Sequence, residues 1–218
     1  TGCGSRAIIQ AATNIAWALQ RTGRPASLAF VVPECNSLGA GLAGGGGLDM
    51  AFEAIERGHA DTVVVLENDL YRRGSAAAVS RLLDRAAHVI ALDHLATPTT
   101  ARADVVLPAG TFAESDGTLV NNEGRAQRFF QVLAPAGDVR ESWRWIRDVM
   151  IASGRREAAA WQTLDDVTAA LVSVVPALAA IQDVAPPATF RIAGLKIARE
   201  PHRYSGRTAM DADVTLHE

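Results

Sequence analysis

The spacing of apolar residues predicts a helix followed by a strand at the start of the chain. Ile8, Ile15 and Leu19 recur at helical intervals, and Gly23 is a suitable residue to end the helix. Residues 28–32 (LAFVV) form a short, uninterrupted apolar run. Such a run is typical of a strand that is covered on both faces in a parallel sheet. We therefore expect a helix of about five turns and then a buried strand.

The alternation of helix and strand continues to residue 108. One amphipathic helix ends before Gly58, and the next is expected to begin after Ser75, whose side chain can cap it. Alternating helices and strands indicate an α/β fold with a doubly wound, mainly parallel sheet. Helices are predicted within residues 48–58 and 72–86, and strands within residues 61–69, 87–95 and 103–108.

Polar side chains follow several of the predicted strands. Asn36 comes after the first strand, Asn68 and Asp69 end the second, and Asp93 lies near the end of the third. In sheets of this type, ligands bind outside the carboxyl ends of the strands. We therefore expect these four residues on the ligand-binding side of the sheet.

A glycine-rich segment follows the first predicted strand. Six glycines lie between positions 39 and 47. Such a loop allows the backbone to approach a ligand closely, often a phosphate, and the alternative is a flexible connection. The segment matches neither GxGxxG nor GxxxxGK[ST]. Both interpretations remain open at this point.

The segment FAESDGTLVNNEGRAQRFF, residues 112–130, carries a pair of neighbouring acids, Glu114 and Asp116. Paired carboxylates can perform acid–base chemistry when their pKa values differ. The favoured interpretation is a turn scaffold, in which the acids accept backbone hydrogen bonds and Arg125 bridges a carboxylate. Asp116-Gly117 is a hairpin signal, residues 122–124 suggest another turn, and a basic, aromatic strand follows.

The second part of the chain is predicted to be helical. Residues 141–153 and 163–181 have helical character, and Trp143 and Trp145 would face different sides of one helix. Two prolines at 186–187 indicate a boundary. We expect an α/β domain at 1–135 that lacks its first strand, a helical continuation at 136–185, and the start of another element at 186–218.

Composition and charge exclude several classes of function. The formal net charge of -3 and the pI near 6.0 argue against a nucleic-acid-binding protein. Cys3 and Cys35 lie far apart without a CxxC motif, so the two residues alone provide neither a zinc site nor an iron–sulfur site. No Ser–His–acid signature is present, and no apolar run is long enough to span a membrane.

Residues 93–131, DHLATPTTARADVVLPAGTFAESDGTLVNNEGRAQRFFQ, resemble the hallmark segment of the molybdopterin-oxidoreductase superfamily. Four further segments narrow the resemblance to one group within this superfamily. They are VVPECNSLGAGLAGGGGL, VVVLENDLYRR, ESWRWIRDVM and ATFRIAGLKIAREPHRYSGRTAM. Together they are similar to the large iron–sulfur subunits of bacterial NADH:quinone oxidoreductases, the respiratory complex I enzymes. The resemblance covers nearly the whole chain.

The resemblance implies an internal fragment of a subunit that carries electrons from NADH through iron–sulfur clusters toward quinone. The fragment is expected to be an inactive structural and docking body without clusters, and the molybdenum cofactor is expected to have been lost. Its partners would be other subunits of the peripheral arm, at the cytoplasmic face of the bacterial inner membrane, with no nucleic acid and no direct membrane insertion.

The resemblance also implies a vestigial pterin pocket formed by strand-end and loop residues. The candidates are Asn36, Asn68, Asp69, Asp93, Asn122 and Arg125. Two alternatives remain open at this point. The chain could be a segment of an active molybdopterin oxidoreductase of the formate-dehydrogenase type, or a free-standing nucleotide-binding α/β module.

Overall fold

The computed structural model describes residues 4–31 and 34–190. The chain divides into two compact units, Thr1–Ala188 and Thr189–Glu218. Most of the predicted element at 186–218 lies outside the described residues, and the structural account below concerns the first unit. No helix within the described ranges is long and apolar enough to cross a membrane.

Three parallel strands form the central sheet, which confirms the predicted α/β fold with a mainly parallel sheet. The strands lie in the order β1–β2–β3, with Val64 opposite Ile90 and Leu92 opposite Leu107. Their bounds are Thr62–Leu66 for β1, His88–Asp93 for β2 and Val105–Pro108 for β3.

Two helices cover one face of this sheet. Helix α3 spans Leu48–Glu56 and helix α4 spans Ala76–Arg85. The Ser75 side chain accepts a hydrogen bond from Ala78 N at 3.3 Å, as the predicted cap requires. The core between helices and sheet consists of seven buried apolar residues: Ile55, Val65, Leu70, Val79, Leu82, Leu83 and Val89.

An antiparallel hairpin follows the sheet. Strand β4 spans Gly117–Val120 and strand β5 spans Ala126–Phe129. The predicted turn at Asp116-Gly117 is wrong, because Gly117 lies within β4 and the ring of Phe129 occupies the space that a Cβ would need. The connection is made at residues 121–125, where Asn121 Oδ1 accepts bonds from the nitrogens of residues 123 and 125 at 3.0 and 2.9 Å.

The helical continuation packs onto the preceding strands. Arg140 adds a parallel bridge beside β3, next to the start of helix α5, Ser142–Ala152. The Trp145 indole donates to Pro108 O at 2.8 Å, and its ring lies under Arg140. The Trp143 ring lies under Arg144. The two tryptophans therefore do not form one stacking surface. Helices α6 and α7 follow at Leu164–Val174 and Ile181–Val184.

The first helix forms as predicted, but the strand after it does not. Helix α1 spans Gly4–Arg21, and Gly23 has a φ of +77° just beyond its end. Residues 28–31 have no regular structure and Val31 is 94% exposed, while residue 32 lies outside the described residues. A parallel strand needs a neighbour to satisfy its backbone groups, and no described segment pairs with residues 28–31.

The glycine-rich segment is partly helical. Residues Ser37–Ala43 form helix α2, with Gly39 and Gly41 inside it, and residues 44–47 connect α2 to α3. Gly44 and Gly45 have φ values of +79° and +111°, which only glycine adopts easily. Both glycines therefore serve the turn between two helices, whereas a phosphate-binding loop joins a strand to a helix.

Candidate functional site

The carboxyl edge of the parallel sheet gathers three of the six candidate residues, Asn68, Asp69 and Asp93. We call this edge the sheet rim and define it as residues 67–69, 93–94 and 109–111. Backbone hydrogen bonds hold its three parts together, from Glu67 N to Leu92 O at 2.7 Å and from Ala109 N to Asp93 O at 3.1 Å. The rim is therefore a continuous extension of the sheet.

The Asp69 carboxylate accepts hydrogen bonds from two other residues. Its Oδ1 atom accepts from Tyr71 N at 3.2 Å and from the hydroxyl of Thr99 at 2.6 Å. Thr99 is fully buried, and its hydroxyl oxygen also accepts from Leu70 N at 2.8 Å. The carboxylate thus joins the end of β1 to the segment that follows β2.

Asp93 turns its carboxylate toward its own backbone. Its Oδ1 atom accepts from the nitrogens of His94 and Leu95 at 2.8 and 3.1 Å, and His94 Nδ1 lies 3.5 Å away. Such an arrangement is a local side-chain turn that fixes the direction in which the chain leaves β2. The Asp93 side chain is buried.

Glu67 adopts an unusual backbone conformation. Its φ is +46°, a region that costs a non-glycine residue about 1–2 kcal/mol. Its carboxylate accepts a short hydrogen bond from the buried hydroxyl of Ser142. This contact ties the end of β1 to the start of α5.

The two acids Glu114 and Asp116 accept hydrogen bonds from different parts of the backbone. Glu114 accepts from the nitrogen and the hydroxyl of Thr111 at 3.0 and 2.9 Å, and Asp116 accepts from Gln131 N at 2.5 Å. The backbone and side-chain bonds from Thr111, with a smaller electrostatic contribution from the nearby His94, hold the pKa of Glu114 below its usual value. Each carboxylate therefore anchors backbone, Glu114 in its own turn and Asp116 in the segment that follows β5.

Asn36 and Asn68 are also engaged within the chain. Asn36 Oδ1 accepts from Val120 N at 2.8 Å and so joins the turn before α2 to the hairpin. Asn68 Oδ1 accepts from Arg73 Nε at 2.9 Å, and the same guanidinium pairs with Glu34 at 2.5 Å.

The last two candidates are separate from the sheet rim. Asn122 and Arg125 are exposed on the hairpin turn. Arg125 lines a cavity of about 390 Å³ together with Leu178 and Ile181. The structure therefore does not bring these two residues together with Asp69 and Asp93.

Thr99 and Ser142 are the rim-supporting residues that sequence reasoning missed. The available signal for Thr99 was its place in a run of hydroxyl residues, TPTT, just after a strand. Ser142 carried no comparable signal, because its partner Glu67 lies 75 positions away in the sequence.

A cavity of about 610 Å³ opens beside the rim, and its lining includes Asp93, His94, Thr97 and Pro108. The rim contains the carboxylates of Glu67, Asp69 and Asp93 but no lysine or arginine. The nearby Arg73 is already paired with Glu34. This arrangement can accept hydrogen bonds from a ligand but offers few donors to an anion. No group of three or more His, Cys, Asp or Glu side chains in the described residues is arranged to hold a metal ion.

The sequence of this chain is similar to known proteins along its whole length. The chain is 52% identical over 223 aligned positions to the G subunit of the NADH-quinone oxidoreductase of Pseudomonas fluorescens. It is 49% identical to the protein of that name from Salmonella typhimurium and 50% identical to that from Escherichia coli K12. Each match covers 100% of this chain but only 24–25% of the relative, so the chain spans about a quarter of the length of these curated relatives.

A model of the molybdopterin oxidoreductase family matches residues 5–151, which is more than half of the 218 residues. The parallel sheet, its helices and its rim all lie inside the matched range. This chain therefore belongs to the molybdopterin oxidoreductase family.

Proposed function

We propose that this chain is a structural and docking segment of the large iron–sulfur subunit of a bacterial NADH:quinone oxidoreductase. The longer subunit passes electrons from NADH along iron–sulfur clusters toward quinone, and the clusters lie outside this segment. The identity of about 50% along the whole chain to relatives named for that activity supports the assignment.

The hydrogen bonds of three carboxylates, at and beside the rim, are the observation that supports the structural role. Asp69 and Asp93 accept backbone hydrogen bonds from their own turns. Glu114 does the same at Thr111. A carboxylate whose oxygen already accepts several hydrogen bonds is fixed in position, which suits an anchoring role better than proton transfer.

The rim is a poor match for a pterin dinucleotide. The phosphates of such a cofactor need cationic or N–H donors. Here the acids at 67, 69 and 93 surround the edge, and Arg73 is bound to Glu34 and Asn68. Asn122 and Arg125 lie on the hairpin turn, beside a different cavity. We infer that the residues of this pocket record ancestry and that the cofactor has been lost.

The remaining features of the proposal concern assembly. The segment contacts other subunits of the peripheral arm and lies with them at the cytoplasmic face of the inner membrane, without nucleic acid. Its parts are an α/β domain at 1–135, a helical continuation at 136–185 and the start of the next element at 186–218. The isolated segment is inactive.

Metal analysis of the enzyme that contains the longer subunit tests the assignment. We expect iron without stoichiometric molybdenum or tungsten, and no oxidation of NADH or formate by the 218-residue chain alone. Stoichiometric molybdenum or tungsten would instead support a working molybdopterin enzyme, and oxidation of either substrate by the isolated chain would refute the structural role.

A substitution in the longer subunit separates docking from chemistry. Asp69→Ala should lower the amount of assembled enzyme and leave the NADH:quinone activity per assembled enzyme unchanged, because it removes the Oδ1 acceptor that anchors the rim. Asp49→Ala, at an exposed position of α3, is the matched control and should change neither quantity. Normal assembly with a reduced activity in Asp69→Ala would contradict the proposal.

A further inference from the structure

A buried arginine of the hairpin has an incomplete set of partners. Arg128 belongs to β5, and its side chain is only 2% exposed. Its Nη1 atom donates to Asp165 Oδ1 at 2.7 Å and more weakly to Pro186 O at 3.4 Å. The Phe130 ring lies 5.8 Å from the centre of the guanidinium. One end of the guanidinium is therefore satisfied within the chain.

The other edge of the same guanidinium has no hydrogen-bond partner among the described residues. Its Nε and Nη2 atoms are both buried. These two nitrogens direct parallel N–H bonds from one edge of a planar group, a geometry that matches the two oxygens of a carboxylate. Buried polar groups without partners are rare in native proteins, and a ligand site is one explanation for them.

A second unsatisfied group lies on the same face of the hairpin. Thr118 of β4 is directly opposite Arg128 in the antiparallel register. Side chains at directly opposite positions project from the same face and lie close together. The Thr118 hydroxyl is also buried, and no residue in the described ranges bonds to it. Arg128 and Thr118 therefore place three polar atoms without described partners on one patch of the hairpin.

A cavity adjoins this patch. It has a volume of about 300 Å³, and Arg128, Asp165 and Thr168 line it together with the apolar residues Ile181 and Ala185. The volume is at the lower end for small-molecule sites. Gln182 and Pro187, which are exposed, complete the lining.

We propose that the open edge of Arg128 and the Thr118 hydroxyl bind the carboxylate of a small organic acid. The carboxylate would accept both N–H bonds from Arg128 and the O–H bond from Thr118, and its apolar part would contact Ile181 and Ala185. A singly charged ligand is favoured over a phosphate dianion, because Asp165 already neutralises the guanidinium from its other side. This site lies away from the sheet rim and does not depend on the proposed function.

Titration of the full chain with acetate and propionate tests the site, with chloride holding the ionic strength constant. The readout is the side-chain Nε–Hε resonance of Arg128 in a ¹⁵N-arginine NMR spectrum, which the Arg128→Lys variant identifies by its loss. We expect a saturable shift with both carboxylates and none with acetamide, the neutral analogue. The absence of a saturable shift, an equal response to acetamide, or a response to inorganic phosphate alone would refute the proposal.

Thr118→Val provides a second variant that should fold normally, because it removes a hydroxyl to which no described residue bonds. The loss of one hydrogen bond should weaken acetate binding on the order of tenfold, and Thr118→Ser should keep most of the affinity. Arg155→Lys, at an exposed arginine, is the matched control and should bind acetate normally. Unchanged acetate affinity in Thr118→Val would refute the role of the hydroxyl.

Discussion

Replacing Thr99 by valine removes a buried hydroxyl from beneath the sheet rim and keeps the branched shape of the side chain. The wild-type hydroxyl donates to Asp69 at 2.6 Å and accepts from Leu70 N at 2.8 Å. Thr99 itself is fully buried. The substitution therefore breaks two hydrogen bonds in a place that water does not reach.

The two losses differ in size. Leu70 N is left without an acceptor inside the protein, which costs about 1–3 kcal/mol for a buried donor. Asp69 keeps its hydrogen bond from Tyr71 N and is partly exposed. Losing the bond from Thr99 therefore costs it less, about 1 kcal/mol. We expect Thr99→Val to lower the free energy of unfolding by about 2–4 kcal/mol, a large part of the stability of a typical domain.

Urea unfolding of the full chain, followed by circular dichroism, measures this change. Thr99→Ser keeps the hydroxyl and loses one methyl group, so its cost should be only about 1 kcal/mol. Thr62→Val is the control at an exposed threonine and should stay within about 0.5 kcal/mol of the wild type. The reasoning would be refuted if Thr99→Val were as stable as the wild type, or if Thr99→Ser cost as much as Thr99→Val.

Three further predictions concern a helix cap, an acidic anchor and the core. Ser75→Ala removes the cap of α4 and should lower the free energy of unfolding by about 1 kcal/mol in urea; an unchanged midpoint would contradict this. Bonds from the nitrogen and hydroxyl of Thr163 lower the pKa of Asp166. The stabilisation from this carboxylate is therefore complete above its pKa in the unfolded chain and disappears as the pH falls through the lower pKa of the folded chain. The stability difference between wild type and Asp166→Asn should accordingly shrink on acidification, and a difference that grows would contradict the assignment. Leu82→Ala should cost about 2–5 kcal/mol because Leu82 is buried in the sheet–helix core. Ile8→Ala, at a residue 70% exposed on α1, should change stability by less than about 0.5 kcal/mol, and equal effects in the two variants would refute the burial argument.

Local patterns predicted the regular elements well where the segment also found a partner. The apolar runs of β1, β2 and β3 became strands because each lies beside another strand of the sheet. The equally apolar run at 28–31 did not become a strand, since no described segment pairs with it. Composition describes the residues of a strand but not the availability of its neighbour.

The candidate site shows the same division. The positions of Asp69 and Asp93 at strand ends followed from the order of elements along the chain, because parallel strands place their carboxyl ends at one edge. Their partners could not be predicted in the same way. Thr99 reaches Asp69 across 30 positions, and Ser142 reaches Glu67 across 75.

Glycines illustrate how one residue type serves different needs. The Asp116-Gly117 pair matches a turn signal, yet Gly117 is required because the ring of Phe129 packs where a side chain would begin. The turn itself depends on Asn121, which holds two backbone nitrogens. A local signal cannot distinguish a turn from a close approach of a distant ring.

The amino-acid sequence by itself determined the alternation of helices and strands, the acidic character of the strand ends and the membership of the family. These properties depend on neighbours along the chain or on whole segments of sequence. Tertiary structure alone decided which acids anchor the rim and that Asn122 and Arg125 lie apart from it. It also decided that Arg128 and Thr118 have, on one face, polar groups that lack a partner in the part of the chain that the structure describes. The physical reason is that hydrogen bonding and burial depend on the distances between folded segments, and those distances exist only after the chain has packed.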